Sequence, residues 1–204
     1  IAESIYPQIS LCVVTWNGID LLKACIDSII KNTIYPNYRI IIHSNACTDG
    51  TQGYIRKLGM NDHRIIPILS STNEVFVKPN NGMINYIPKN DAIMLNNDTI
   101  VEPGWLLAMH QAAYSSDKVG VVGAKLLYPD GTLQEFGSEI YDDGSGYNHG
   151  KYDTEPFSNS YRRIKAVGYV SGCAFYIKRS TIDKIGVLDT DFHPIYFEDS
   201  EYCY

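Results

Sequence analysis

No stretch of the 204 residues approaches the ~20 consecutive apolar side chains that a membrane-crossing helix requires. Basic residues are scarce as well. Seventeen Lys and Arg stand against 23 Asp and Glu, for a net charge of −6. Nucleic-acid binders carry the opposite, a basic patch or stripe. The five cysteines, Cys12, Cys25, Cys47, Cys173 and Cys203, are odd in number, widely spaced and free of any CxxC pair. That excludes a zinc framework and a secreted disulfide scaffold. Cys12, Cys25 and Cys173 lie in apolar runs, as buried reduced thiols do, so a reducing, cytoplasmic setting is expected. No two of the five His stand at a metal-ligand spacing such as HxxxH. The opening residues show no basic-then-apolar leader. The chain begins at Ile1 rather than Met and stops after Tyr204 without a turn or cap signal, so both ends are expected to be cuts in a longer protein.

What is present is an alternation of strands and helices. Ile9–Val14 is a short, nearly continuous apolar run of the kind shown by a parallel strand covered on both faces. Asn17-Gly18-Ile19-Asp20 turns the chain, and Leu22, Ile26, Ile29 and Ile30 recur at helical spacing as far as Asn32. Tyr38–His43 reads as a second buried strand, and Thr48-Asp49-Gly50 opens a helix running to about Leu58. Arg64–Leu69 and Ala92–Leu95 read as a third and a fourth strand. Pro103 is expected in the first turn of a helix that continues through Trp105–Tyr114. Such a succession predicts a mainly parallel sheet with helices on both faces. Beyond it, Val119–Tyr128 and Val167–Lys178 read as long β-rich runs, separated by a polar loop or lid over Tyr141–Ser160.

Ligands of open α/β sheets bind outside the carboxyl ends of the strands. Three polar segments fall there: Thr15-Trp16-Asn17-Gly18, Ser44 to Asp49, and Asn96-Asn97-Asp98. The first has one glycine where a dinucleotide fingerprint needs three. No glycine-rich run ends in Lys-Ser or Lys-Thr, and no GxSxG elbow occurs. What remains is carboxylates. Asn96 and Asp98 are two apart, so in a continuing strand both oxygens would face one hard cation; alternatively Asp98 caps a helix or closes a turn. Glu198, Asp199 and Glu201 crowd three carboxylates into four positions. Crowding raises at least one pKa, as suits a general base, but a solvated acidic helix start reads the same way.

At these residues the chain resembles the family 2 inverting glycosyltransferases of GT-A type, in particular the bacterial rhamnosyltransferase-like branch that assembles surface polysaccharide. Ile9–Ser28 is similar to the opening strand, "P-T-Y-N" turn and first helix of that family. Cys47-Thr48-Asp49-Gly50-Thr51 is similar to its "S-T-D-G-T", Asn80-Asn81-Gly82 to its "N-x-G", and Leu95–Thr99 to the "L-N-N-D-T" variant of the metal-binding "D-x-D". Gly123–Thr132 and Val170–Cys173 match further segments of the branch, and Phe197-Glu198-Asp199 its acidic catalytic motif. The segments are collinear over nearly the whole chain.

The resemblance implies a Rossmann-like, mainly parallel GT-A sheet with a smaller mixed β region on the acceptor side. It implies one domain over 1–204, C-terminally truncated, with a nucleotide-sugar half to about residue 115 and an acceptor half from about 116. Thr15, Trp16, Asn17, Ser44, Asp49, Asn80, Asn96 and Asn97 would line the donor site, and Asp98 would hold Mg²⁺ or Mn²⁺ against the donor diphosphate. Asp199 would deprotonate the acceptor hydroxyl, with Glu198 beside it. The donor would be a nucleotide-diphosphate sugar and the acceptor a glycan or lipid-linked glycan. The setting would be the cytoplasm, including peripheral association with the inner face of the cell membrane. Ser44 stands where the family usually carries an aspartate, Asn96 replaces the first carboxylate of its metal motif, and Val75 stands where the branch usually has glycine. The alternative is a nucleotide-binding module of the same fold without turnover. A sugar-1-phosphate nucleotidyltransferase would want a glycine-rich loop with a basic residue after the first strand, and Thr15–Gly18 supplies neither.

Overall fold

A computed structural model describes residues 6–204; the start of the chain at Ile1 lies outside the described residues. The elements run β1 (Ile9–Thr15), α1 (Ile19–Asn32), β2 (Tyr38–Asn45), α2 (Thr51–Asn61), β3 (Ile65–Ser70), α3 (Val77–Tyr86), β4 (Asp91–Asn96) and α4 (Trp105–Ala113). The second half adds β5 (Val121–Gly123), β6 (Leu126–Leu127), β7 (Leu133–Glu135), β8 (Ser138–Ile140) and β9 (Gly146–Asn148). It closes with β10 (Ala174–Ile177), α5 (Arg179–Ile185) and α6 (Glu198–Cys203). Six strands form the main sheet in the order β3-β2-β1-β4-β10-β5. Strands β1 to β4 pair in parallel, and β10 is antiparallel to both β4 and β5.

Burial on both faces explains the continuous apolar runs. Ile9, Leu11, Val13, Ile40, Ile42, Ile93 and Leu95 share one cluster with Leu22, Cys25, Ile26 and Ile29 of α1 and Leu106 and Met109 of α4. The intervening residues Cys12, Ile41, Ala92 and Met94 enter a second cluster with Val77, Met83 and Ile84 of α3 and Ile182 of α5. Each such aliphatic side chain stabilises the fold by roughly 1.5–3 kcal/mol on burial. A slip of one residue would exchange the two clusters, so the register is fixed by packing. All five cysteines are free thiols.

Several elements differ from the sequence expectation. Helix α3 is not among the elements expected from the sequence. Pro79 falls in the first turn of α3, where its missing N–H removes no helical hydrogen bond. Gly50 and Gly104, both left-handed, immediately precede α2 and α4, so Thr48–Gly50 and Pro103 lie outside those helices. The long β runs are broken. The first splits around Ala124-Lys125, and in the second only Ala174–Ile177 is strand, with one bridge from Tyr169 to Ser138. A Cβ on Gly123 would lie 2.4 Å from Val170 Cβ, so glycine there lets the 170 segment cross the sheet edge. The polar stretch after Tyr141 is mostly exposed loop, but its residues Gly146–Asn148 pair with β8. On the opposite edge α2 packs against β3, with Gly59 facing Pro67 where a Cβ would approach to 2.9 Å. Among the described residues no helix is long and apolar enough to cross a membrane.

Candidate active site at the strand ends

The chain winds from β1 outward through β2 to β3, then returns to place β4 on the other side of β1. This switch point leaves a crevice outside the carboxyl ends of β1 and β4. Side chains tie the loops around it together. Asn97 Nδ2 donates to Thr15 Oγ1 at 2.9 Å, joining the β4 and β1 ends. Asn17, at φ 59°, donates its backbone N–H to Cys47 Sγ at 3.0 Å and accepts from Thr48 N at 2.8 Å through Oδ1. Asp49 accepts from Ile19 N at 3.1 Å and from Thr51 Oγ1 at 2.6 Å. The Thr51 hydroxyl first, and then the backbone N–H groups, hold the Asp49 carboxyl below its ordinary range. Trp16 stands 64% exposed at the rim.

Strand β4 stops at Asn96, and the chain turns through Asn97-Asp98 with Thr99 N donating to Asn96 O at 3.3 Å. The extended geometry expected to align Asn96 with Asp98 therefore does not continue past the strand. Asp98 does not cap α4, whose preceding residue is Gly104. It is exposed and takes no part in the side-chain bonds that tie Asn97 and Thr99. Its charge reaches the Cys173 thiol, which burial first and then Asp98 raise to about 12.

The acidic motif opens α6, so the expectation of a helix start holds, yet only part of it is solvated. Glu201 is exposed, Asp199 half-buried and Glu198 only 5% exposed. Burial first, then the neighbouring Asp199 charge, raises the Glu198 carboxyl above its ordinary value. Asp199 Oδ2 accepts from Gly172 N at 2.8 Å, and Oδ1 accepts from Ser200 N at 2.7 Å. Asn96 N in turn donates to Cys173 O at 3.0 Å. The Ser171–Cys173 turn therefore joins the β4 end to the acidic motif, although about a hundred residues separate them in sequence.

Four buried side-chain atoms among the described residues have no hydrogen-bond partner: Ser44 Oγ, Asn80 Oδ1, Glu198 Oε2 and Arg179 Nη1. Unpaired buried polar atoms are rare and call for an explanation. Three of these four belong to residues singled out from the sequence. Ser44 and Asn80 are buried, and Asn80 Nδ2 is engaged by Phe76 O at 3.1 Å. Neither side chain is open to the crevice as Trp16 and Asp98 are.

Two participants were missed. Asn45, 1% exposed, donates to Val75 O at 2.6 Å and accepts from Glu74 N at 3.3 Å, holding the loop before α3. Glu135 is buried and accepts from Ser171 N at 3.0 Å. Strand alternation carried a signal for it, since Glu135 shares the side of Leu133, which is fully buried. Lys125 and Arg162 hold the 156–157 loop by bonds to Pro156 O and Phe157 O. Tyr141, Tyr147 and Tyr152 are exposed around the second half. Two surface hollows lie elsewhere, one lined by Arg56, Met60 and Pro67 and the other by His43, Glu74 and Lys78.

The fold is that of GT-A glycosyltransferases. The mannosyltransferase PcManGT from Pyrobaculum calidifontis, solved with GDP-Man and Mn²⁺, superposes with a TM-score of 0.67 at 16% identity, over 95% of this chain and 50% of that one. TarS 1-349 of S. aureus in complex with UDP gives a TM-score of 0.65 at 14% identity, over 96% of this chain and 54% of that one. The sequence pattern of glycosyl transferase family 2 matches residues 10–186, and the chain belongs to this family. It is 27% identical over 203 residues to the uncharacterized protein y4gI of Sinorhizobium fredii, spanning 97% of this chain and 22% of y4gI. It is 26% identical to the O-antigen biosynthesis protein RfbC of Myxococcus xanthus, spanning 91% of this chain and 15% of RfbC. The chain thus spans about a fifth of the length of these curated relatives.

Proposed function

We propose that this chain transfers a sugar from a nucleotide-diphosphate donor to an acceptor hydroxyl with inversion, Asp199 acting as the base. The observation that carries the reading is the Ser171–Cys173 turn, bonded to β4 through Asn96 and to Asp199 through Gly172. It supports two carboxylates working on one crevice, Asp98 on the leaving-group side and Asp199 on the acceptor side. Inversion by direct displacement needs one base, opposite the leaving group. Thr15, Trp16, Asn17, Ser44, Asp49, Asn80, Asn96 and Asn97 belong to the donor side, where Thr15 and Asn97 bond each other and Asn17 and Asp49 bond the neighbouring backbone of the loops. Glu198, buried next to Asp199, is the second carboxylate of the acidic motif.

Asp98, exposed and without a structural bond, fits a hard divalent ion. Among the described residues no three His, Cys, Asp or Glu side chains converge as a metal cage. A Mg²⁺-type ion takes one or two protein oxygens and completes its shell with phosphate and water. Mg²⁺ or Mn²⁺ held there would neutralise charge developing on the diphosphate. The acceptor is a glycan or lipid-linked glycan of bacterial surface polysaccharide, handled in the cytoplasm or at the inner membrane face by peripheral contact. The chain works as one domain, its donor half ending near residue 115.

Calorimetric titration of UDP, dTDP and GDP, each with and without Mn²⁺, tests the reading. Metal-dependent binding of one nucleotide is expected, lost in Asp98→Ala with the fold retained. Asp199→Asn is expected to lower turnover about 10²–10⁴-fold with donor affinity unchanged, the range for losing a positioned base. Unaltered metal dependence in the first variant removes Asp98 from its role, and normal turnover in the second removes Asp199. A nucleotide-binding module without turnover is the second reading, favoured by the hydroxyl at Ser44 in place of the family's aspartate. Nucleotide binding with no transfer by either the native chain or Asp199→Asn would select it.

A further inference from the structure

We infer that Glu135 is a positioning residue for the reaction: its carboxylate holds the Ser171–Gly172 turn whose next amide fixes Asp199. The role rests on Asp199 being the base.

Glu135 ends β7 and is 4% exposed, a poor site for a carboxylate that serves only stability. Burying an ionised group costs several kcal/mol unless partners offset it. The partners here are few. Ser171 N donates at 3.0 Å, whereas the nearby Ser138 hydroxyl gives its proton to Asn148 Oδ1 at 3.1 Å. The Asp199 charge is near enough to oppose ionisation rather than favour it. A charge held against these terms is more economically explained by what it orders than by the stability it adds.

What it orders is specific. Consecutive backbone amides leave the turn towards two carboxylates from different elements, Ser171 N to Glu135 and Gly172 N to Asp199 Oδ2 at 2.8 Å. Backbone bonds between Ser138 and Tyr169, both 2.9 Å, anchor the same segment two residues earlier. Downstream, Cys173 O receives Asn96 N, so the turn cannot rotate without disturbing the end of β4. Gly172 faces Asp199 directly, with any Cβ there 3.6 Å from both Asp199 Cβ and Oδ2. With Ser171 released, the Gly172 N–H loses its aim, and Asp199 keeps only the Ser200 amide on its own helix.

The test uses the ¹⁵N-labelled full chain and compares the Ser171 and Gly172 amide resonances in wild type, Glu135→Gln and Glu135→Ala. Both amides are expected downfield in wild type and in Glu135→Gln, whose amide oxygen still accepts, and both upfield in Glu135→Ala. With the donor nucleotide selected by the titration, Glu135→Ala is expected to lower kcat about tenfold to a hundredfold, the scale for a misplaced group. Its donor KM should stay unchanged, and Glu135→Gln should recover most of kcat. Should Glu135→Ala not fold, Glu135→Asp, one methylene too short to reach Ser171, replaces it. A Gly172 resonance that stays put while Ser171 moves overturns the role, as does a loss carried by donor KM. The amide shifts read the linkage whether or not transfer is detected, and Asp199→Asn checks the base separately.

Discussion

Val75 holds a backbone conformation that its side chain opposes. Its φ is 59°, in the left-handed region where a β-branched residue is a true outlier. Asn45 explains how the strain persists, since both ends of its buried amide fasten the 74–75 backbone, and Asn73 Oδ1 accepts from Val75 N at 2.9 Å. Relieving the strain is worth about 1–2 kcal/mol, against roughly 0.5–1 kcal/mol for the added freedom of an unfolded glycine. Val75→Gly is therefore expected to raise stability by about 0.5–1 kcal/mol in urea unfolding with an unchanged m-value. A destabilised variant would mean that the half-buried Val75 side chain contributes more by packing than its backbone strain removes.

Among the elements, α3 shows how a helix can be built from residues that disfavour it. Asn80, Asn81 and Gly82 are weak helix formers, but the Asn81 amide reaches out of the helix and joins the segment after α5. Its Nδ2 donates to Leu188 O at 2.8 Å and its Oδ1 accepts from Leu188 N at 3.0 Å. Asn81→Ala is expected to cost about 1–3 kcal/mol by leaving both backbone groups unpaired, despite its better helix propensity. Thermal unfolding of that variant decides which effect wins. The same helix marks the limit of the sequence reading. Strands β1, β2 and β4 were legible because burial on both faces writes an unbroken apolar run, whereas α3 is fixed by tertiary bonds that no local pattern records. The site divides in the same way. Asp98 and Asp199 stand in recognisable motifs, but Glu135 acquires its meaning only when Ser171 is folded against it.

At the scale of the molecule, two sets of carboxylates pull stability in opposite directions with pH. Asp62, held down first by its side-chain bonds to Arg64, has a lowered pKa, as have Asp49, Asp130, Asp143 and Asp153 through local bonds. Groups of this kind stabilise the fold above the ordinary aspartate value of 3.8, and that contribution is lost as pH falls through their folded values. Glu135 and Glu198 are raised above 4.5, chiefly by burial. For these the folded state binds the proton more tightly. Their contribution is complete below 4.5 and is lost as pH rises through their folded values. Glu135→Gln is accordingly expected to raise Tm at about pH 8 and to leave it nearly unchanged at about pH 4, read by calorimetric scans across that range. A gain of equal size at both ends would indicate better packing rather than relief of a buried charge.

The rims of the main sheet bear on how copies of the chain behave towards one another. A free strand edge is a template on which a second chain can add its own backbone. On one rim β3 carries Pro67, which has no N–H to give, with Gly59 of α2 drawn close over it. On the other, β5 is three residues long and ends where Val170 crosses Gly123. An incoming strand would meet an interrupted ladder on either side, so the sheet resists growth into edge-joined aggregates even in a crowded solution.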